Sequence, residues 1–310
     1  MVDGRESKRG NPDPGPKPAQ GVAAPPLSSG LWLVATPIGN AADITLRALD
    51  VLRSADVLAA EDTRRTRQLL EIHGITVGGR PLVSYHDRNG AARRPQILAW
   101  LAEGRSVAYA SDAGTPLIAD PGYRLVEAAR EAGHPVHTAP GASSVLAALS
   151  VAGLPTDRFL FVGFPPPKAG ARRQMLAELA DVPATLVFFE SPHRVVASVA
   201  DMATALGPDR EAALVRELTK KFEECRRGSL AELAESLQAG GAPKGEIVLV
   251  IGPPTPGEPA SAQDLDTALA EALATMSVNQ AARAVARDLG LPRREVYARA
   301  VALSRGGAPQ

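Results

Sequence analysis

From residue 31 onward the chain alternates short apolar runs with longer amphipathic stretches. The runs at 31–36, 56–61, 81–85, 106–110 and 135–138 read as strands, and 45–53, a segment beginning near Thr63, 91–103 and about 122–132 read as helices. Strands separated by helices and short turns predict a parallel sheet covered on both faces. A second unit begins near Leu154, with strands at 158–164, 184–190, 212–217 and 246–251 and helices between them. Residues 252–257, GPPTPG, then break the chain as a linker would. Beyond it 264–275, 277–289 and 292–303 read as three helices, the second capped by Ser277 and ended by Gly290. Residues 1–30 carry six prolines and five glycines with almost nothing to bury, which predicts a disordered extension. The chain therefore divides into that extension, an N-terminal α/β domain at 31–153, a second α/β domain at 154–252, a linker at 253–261 and a helical region at 262–310.

Composition narrows the partners only a little. The 310 residues, 45% of them hydrophobic, suffice for two cores, and 34 basic against 34 acidic residues leave no net charge. Any nucleic-acid contact must then come from local clusters such as Arg64, Arg65 and Arg67, or Lys220, Lys221, Arg226 and Arg227. Residues 277–310 are the most basic segment, with six arginines against Asp288 and Glu295. Arg283 and Arg287 share a helix face there, and Arg293, Arg294 and Arg299 follow on the next helix. The single cysteine, Cys225, excludes an internal disulfide and a cysteine-based zinc site, and the five histidines lack metal-ligand spacing. With no long apolar span and no apolar signal core, a soluble, cytoplasmic protein is expected.

The candidate chemistry gathers at strand ends. The run at 106–110 ends in Ser111-Asp112-Ala113-Gly114-Thr115-Pro116, a stiff loop of small residues at the carboxyl end of a strand, where open α/β sheets place ligands. Thr36-Pro37-Ile38-Gly39-Asn40 is a second such loop, and Glu61-Asp62-Thr63-Arg64 brings carboxylates and a guanidinium to the same edge. Asp62 is also an ordinary helix cap. Neither G-x-G-x-x-G nor a Walker sequence is present, which argues against a phosphate cradle, and Ala139-Pro140-Gly141-Ala142-Ser143-Ser144 is no hydrolase elbow. In the second unit Phe189-Glu190-Ser191-Pro192-His193-Arg194, Arg216-Glu217-Leu218-Thr219-Lys220 and Lys244-Gly245-Glu246 again set charges against strands. Taken by themselves these residues describe a two-domain α/β protein with a cleft and leave the reaction open.

At TPIGN, EDTR, SDAGTP, DPGY, FFESPHR, RELTK and KGE the chain resembles the ribosomal small-subunit methyltransferase I family of the tetrapyrrole-methylase-like superfamily, in order across residues 31–252. It departs from the family pattern at Ala139 and at Gly141-Ala142. The resemblance implies a tetrapyrrole-methylase-like two-domain fold: a parallel-sheet N-terminal domain, a mixed-sheet second domain and a small C-terminal helical extension. It implies S-adenosyl-L-methionine (AdoMet) as cofactor, 2′-O-methylation of cytidine 1402 of 16S rRNA in the small ribosomal subunit, and a homodimer. Cofactor contacts are implied at Pro37, Ser111, Asp112, Ala113, Gly114, Ile118, Ala142, Ser143, Phe189, Glu190, Leu214, Gly245, Glu246 and Ile247. A ribose hydroxyl is a poor acid, so a proton acceptor is needed; Asp62, Glu190, His193, Lys220 and Lys244 are candidates. Arg64, Arg194, Arg216, Arg283, Arg287, Arg293 and Arg294 are candidate RNA contacts, and no metal is expected. Gly114→Val is expected to block the cofactor and spare the fold. Alternatives are a tetrapyrrole C-methyltransferase or diphthine-forming enzyme on the same fold, and a non-catalytic RNA-binding protein.

Overall fold

A computed structural model describes residues 26–119, 122–254, 262–289 and 291–304. Its first sheet contains β1 (Gly30–Val34), β2 (Val57–Ala60), β3 (Leu82–Ser84), β4 (Ser106–Ala110) and β5 (Val136–Ala139), all parallel, in the order β3-β2-β4-β1-β5. The helices between them are α1 (Leu46–Ser54), α2 (Thr63–Ile72), α3 (Gly90–Ala102) and α4 (Tyr123–Glu131). Alternation along β1 decides the layering: Trp32 and Val34 pack with Leu49 and Leu52 of α1, Leu31 and Leu33 with Ile97 of α3 and Leu125 of α4. From β1 the chain crosses towards β2 and from β4 it crosses the other way towards β5. The loops after β1 and β4 therefore diverge, and a crevice opens between them at the carboxyl edge.

The second sheet holds β6 (Phe159–Gly163), β7 (Thr185–Glu190), β8 (Glu211–Arg216), β9 (Glu224–Ser229) and β10 (Ile247–Ile251), in the order β6-β7-β10-β8-β9. Only β6 and β7 run parallel; the other pairs are antiparallel, so this sheet is mixed. One face packs on α6 (Ala169–Leu179), α7 (Val195–Leu206) and α8 (Leu230–Gly240) through Leu176, Val199, Leu214 and Leu249. The other packs on α5 (Ser144–Ala152) and on Ile38, which reaches across from the loop after β1. α5 thus joins the second sheet's core although 31–153 was expected to form one domain.

The strand β9 was not anticipated from the sequence. Its residues ECRRGS show no apolar alternation because it is an edge strand; pairing with β8 and ion pairs hold it, including Arg216 to Glu224 at 2.5 Å. Arg226 and Arg227 of the anticipated basic cluster are consumed here, paired with Glu224 and Glu211.

At the carboxyl end α9 (Ala262–Leu273), α10 (Val278–Asp288) and α11 (Arg293–Ser304) enclose Leu269, Ala282, Val285, Val296 and Ala300. Gly290, the expected terminator of α10, lies outside the described residues, as do residues 1–25 and 255–261. No helix among the described residues is long and apolar enough to cross a membrane.

Candidate active site between the two sheets

The loops after β1 and β4 are bound into one unit. Thr36 and Gly114 exchange both backbone hydrogen bonds at 3.0 Å, the Thr36 hydroxyl donates to the Ser111 carbonyl at 3.1 Å, and the Ser111 hydroxyl donates to the Gly114 carbonyl at 2.6 Å. Gly114 has φ +78, and a Cβ there would sit 3.2 Å from Ile38 Cγ2. Glycine is therefore demanded by backbone angle and by packing of loop on loop. The expectation that Gly114→Val spares the fold is corrected accordingly. Further along, Leu117 (φ 73) and Ala119 (φ 56) also take left-handed angles, so this segment is held in a costly conformation. Asp120 and Pro121 of the DPGY motif lie outside the described residues.

Facing these loops, the second sheet contributes a buttressed turn. Gly245 (φ +99) lies against Glu217, whose Oε1 would stand 2.4 Å from a Cβ at that position; the same oxygen accepts from the Glu246 N–H at 3.0 Å. Lys220 Nζ bridges Glu217 at 2.9 Å and Glu246 at 3.1 Å, and its stem passes so close to Gly39 that the two domains lock there.

Between these walls lies a cavity of about 410 Å³, within the usual range of small-molecule sites. It brings together Asp112, Ala113, Ile118, Phe189, Glu190, Gly245, Glu246 and Ile247 from the expected set, and adds Ile38, Glu61, Phe164 and Val248. Pro37 and Ser111 line an adjoining recess, Ser143 caps α5, and Ala142 accepts a hydrogen bond from Thr115 at 3.0 Å. Leu214 does not reach the cavity: it is fully buried among α7 and α8 residues on the opposite face of the sheet.

The proton-acceptor candidates do not converge. Asp62 caps α2 and forms a two-pronged pair with Arg64 (2.8 and 3.1 Å); the Arg64 hydrogen bonds hold its carboxyl at about 2. A carboxylate so stabilised is a weak base. Burial pulls the Lys220 ammonium down, but the bonds to Glu217 and Glu246 outweigh it and raise its pKa, so Lys220 stays charged. Glu190 is buried and committed, accepting from the Ser191 N–H (2.7 Å), the Ser198 hydroxyl and Arg194 (2.9 Å). Lys244 and His193 are exposed and line none of the recesses around the cleft.

Of the arginines, Arg194 is tied to Glu190 and Arg216 to Glu224, while Arg64 keeps most of its surface in solvent despite its pair. Arg283 and Arg294 are exposed, Arg293 donates to Asn279 at 2.9 Å, and the Arg287 side chain lies outside the described residues. Arg299 pairs with Asp266 of α9 and so belongs to the packing of the helical unit.

Sequence reasoning passed over His86. It stands on the turn after β3, at the same sheet edge, and lines a bay of about 310 Å³ that meets the cavity at Glu61 and Asp112. The strand at 81–85 was visible, and following it one residue further would have found the imidazole.

AdoMet offers a flat adenine, an aliphatic stem, a sulfonium and an ammonium, with no phosphate. The apolar wall of Ile38, Ile118, Phe189 and Val248 and the carboxylates of Glu61, Asp112 and Glu246 suit those groups. Fold and cleft together define a two-domain methyltransferase of the tetrapyrrole-methylase type. The family model for Tetrapyrrole (Corrin/Porphyrin) Methylases matches residues 30–234, and that for the RsmI C-terminal HTH domain matches 259–304. The chain is 49% identical over 284 residues to ribosomal RNA small subunit methyltransferase I of Mesorhizobium japonicum, covering 91% of this chain and 95% of that one. It is 51% identical to the protein of the same name from Erythrobacter litoralis, covering 91% and 98%. Among solved structures, uroporphyrin-III-C-methyltransferase of Thermus thermophilus is 26% identical with a TM-score of 0.51, over 72% of this chain and 93% of that one. The chain belongs to the ribosomal RNA small subunit methyltransferase I family, within the tetrapyrrole methylases. It is a methyltransferase that uses AdoMet.

Proposed function

We propose that this protein transfers the methyl group of AdoMet to the ribose 2′-oxygen of cytidine 1402 in the 16S rRNA of the small ribosomal subunit. The observation that carries the reading is the cleft, where loops at the sheet's switch point face the Phe189-Glu190 and Gly245-Glu246-Ile247 backbone. AdoMet, when bound, supplies an electrophilic methyl group on a sulfonium. Ile38, Ile118, Phe189 and Val248 exclude water from the cleft, while Asp112, Ala113 and the Gly245–Ile247 turn orient the cofactor with Glu246 near its cationic end. Pro37, Ser111, Gly114, Ala142 and Ser143 contribute by holding the loops, since the reaction depends on positioning to within ~3–3.5 Å.

The exposed Arg283 and Arg294 of the helical unit, with Arg64, are assigned to rRNA phosphates, a setting that positions without reading sequence. The protein is taken to act in the cytoplasm as a homodimer. An apolar groove of about 380 Å³ lined by Ile118, Leu146, Phe159 and Phe161, with Leu146 and Phe159 half exposed, supports association. Mass spectrometry of 16S rRNA from cells with and without the gene tests the reading. The expected result is loss of one ribose methyl at that cytidine; an unchanged methylation pattern there refutes it.

A further inference from the structure

We propose that the bay between the β3–α3 turn and the start of α2 seats the target nucleoside, and that His86 accepts the proton its ribose 2′-hydroxyl loses. The inference rests on the ribose-methylation reading above. Glu61 and Asp112 line both the bay and the cofactor cavity, so a ribose in the bay lies one side-chain wall from the cofactor. The recess on the other side of the loops meets the cavity through Asp112 alone, is walled by Pro37, Leu69 and Ile72, and has no imidazole in its described lining.

The turn that carries His86 is rigid while its ring is uncommitted. The His86 N–H donates to Asn89 Oδ1 at 2.9 Å, its carbonyl accepts from the Gly90 N–H at 2.7 Å, and Asn89 Nδ2 donates to Ser84 Oγ at 2.9 Å. The half-buried imidazole makes no hydrogen bond among the described residues. A fixed backbone under a free ring is what a group that must meet a substrate hydroxyl requires. The charged groups around it are Glu61 and Asp62 from the β2–α2 turn, Asp112 from the loop after β4, and Asp87 and Arg88 on its own turn. A second recess that His86 also lines adds Arg94 of α3 and Arg124 of α4. The exposed Arg88 is placed to meet the nucleotide's phosphate. In the step itself the O2′–carbon bond forms as the carbon–sulfur bond breaks, with its electron pair left on sulfur. The hydroxyl proton passes to the imidazole and then to solvent.

The test uses the full-length protein, 30S subunits lacking the modification, and labelled AdoMet in single turnovers from about pH 6 to 9. His86→Asn is expected to bind AdoMet within about twofold of wild type by calorimetry and to transfer methyl ~10²-fold more slowly. The pH dependence of the wild-type rate is expected to be lost in the variant. Added imidazole should restore part of the rate of His86→Ala, which a purely structural role would not allow. Arg88→Ala is expected to raise the KM for 30S subunits several-fold with little change in kcat. A His86→Asn rate within threefold of wild type with the wild-type pH profile, or no imidazole rescue, overturns the role of His86; an unchanged KM in Arg88→Ala overturns the seat. A wild-type protein that methylates no ribose overturns the functional reading, and this proposal with it.

Discussion

At the scale of single residues, the site is governed by which polar groups are already satisfied. Asp62 illustrates it: the Arg64 hydrogen bonds hold it at about 2 against an ordinary 3.8. Its folded pKa is depressed, so the stability it contributes is present above pH ~3.8 and lost as pH falls through about 2. The stability difference between wild type and Asp62→Asn, measured by denaturant unfolding, should be flat from pH 5 to 8 and shrink only below about 4. Turnover in that variant should keep the wild-type pH profile between 6 and 9; a lost limb there would restore Asp62 as the base. Gly114→Ala should cost ~1–3 kcal/mol through its φ of +78 alone, seen as a lowered Tm before any loss of cofactor affinity in the folded protein. Equal Tm values would show that the loop tolerates a side chain.

At the scale of elements, strand alternation decides which residues can see the cleft. On β8, Ala213 and Val215 face α5 while Leu214 faces α7 and α8. Leu214→Ala should therefore cost ~2–5 kcal/mol of stability by cavity formation and leave AdoMet affinity of the folded fraction unchanged. A weakened affinity at full stability would put Leu214 at the cofactor after all. The same element logic explains why β9 was illegible. Reading strands from sequence depends on one buried face, and an edge strand held by ion pairs has none.

At the scale of the whole molecule, the three C-terminal helices form a unit with its own small core, joined through residues outside the described set. Arg283→Ala and Arg294→Ala should each lower the salt slope of rRNA binding by ~1, while Arg299→Ala should loosen the helical unit through loss of Asp266. Deleting 260–310 should leave AdoMet binding intact and weaken rRNA binding; equal affinity and equal slope would remove the helices from the interface. Light scattering should give twice the 32.3 kDa chain mass.

The alternation of strands and helices, the strand-end loops and the three C-terminal helices could all be read from the chain, because each is written in residues that are neighbours or one turn apart. The strand boundaries moved by a residue or two and the parallel first sheet stood. What the tertiary structure alone decided is who partners whom across long separations. Thr36 meets Gly114, Gly39 meets Lys220, and Glu217 lies on Gly245; none of these pairings has a local signature. Lys220 is occupied through distant Glu246 as well as Glu217, whereas Asp62 and Glu190 are held by residues within a few positions along the chain. A side chain's chemistry follows from its type, but its availability follows from partners that only folding brings within hydrogen-bond reach.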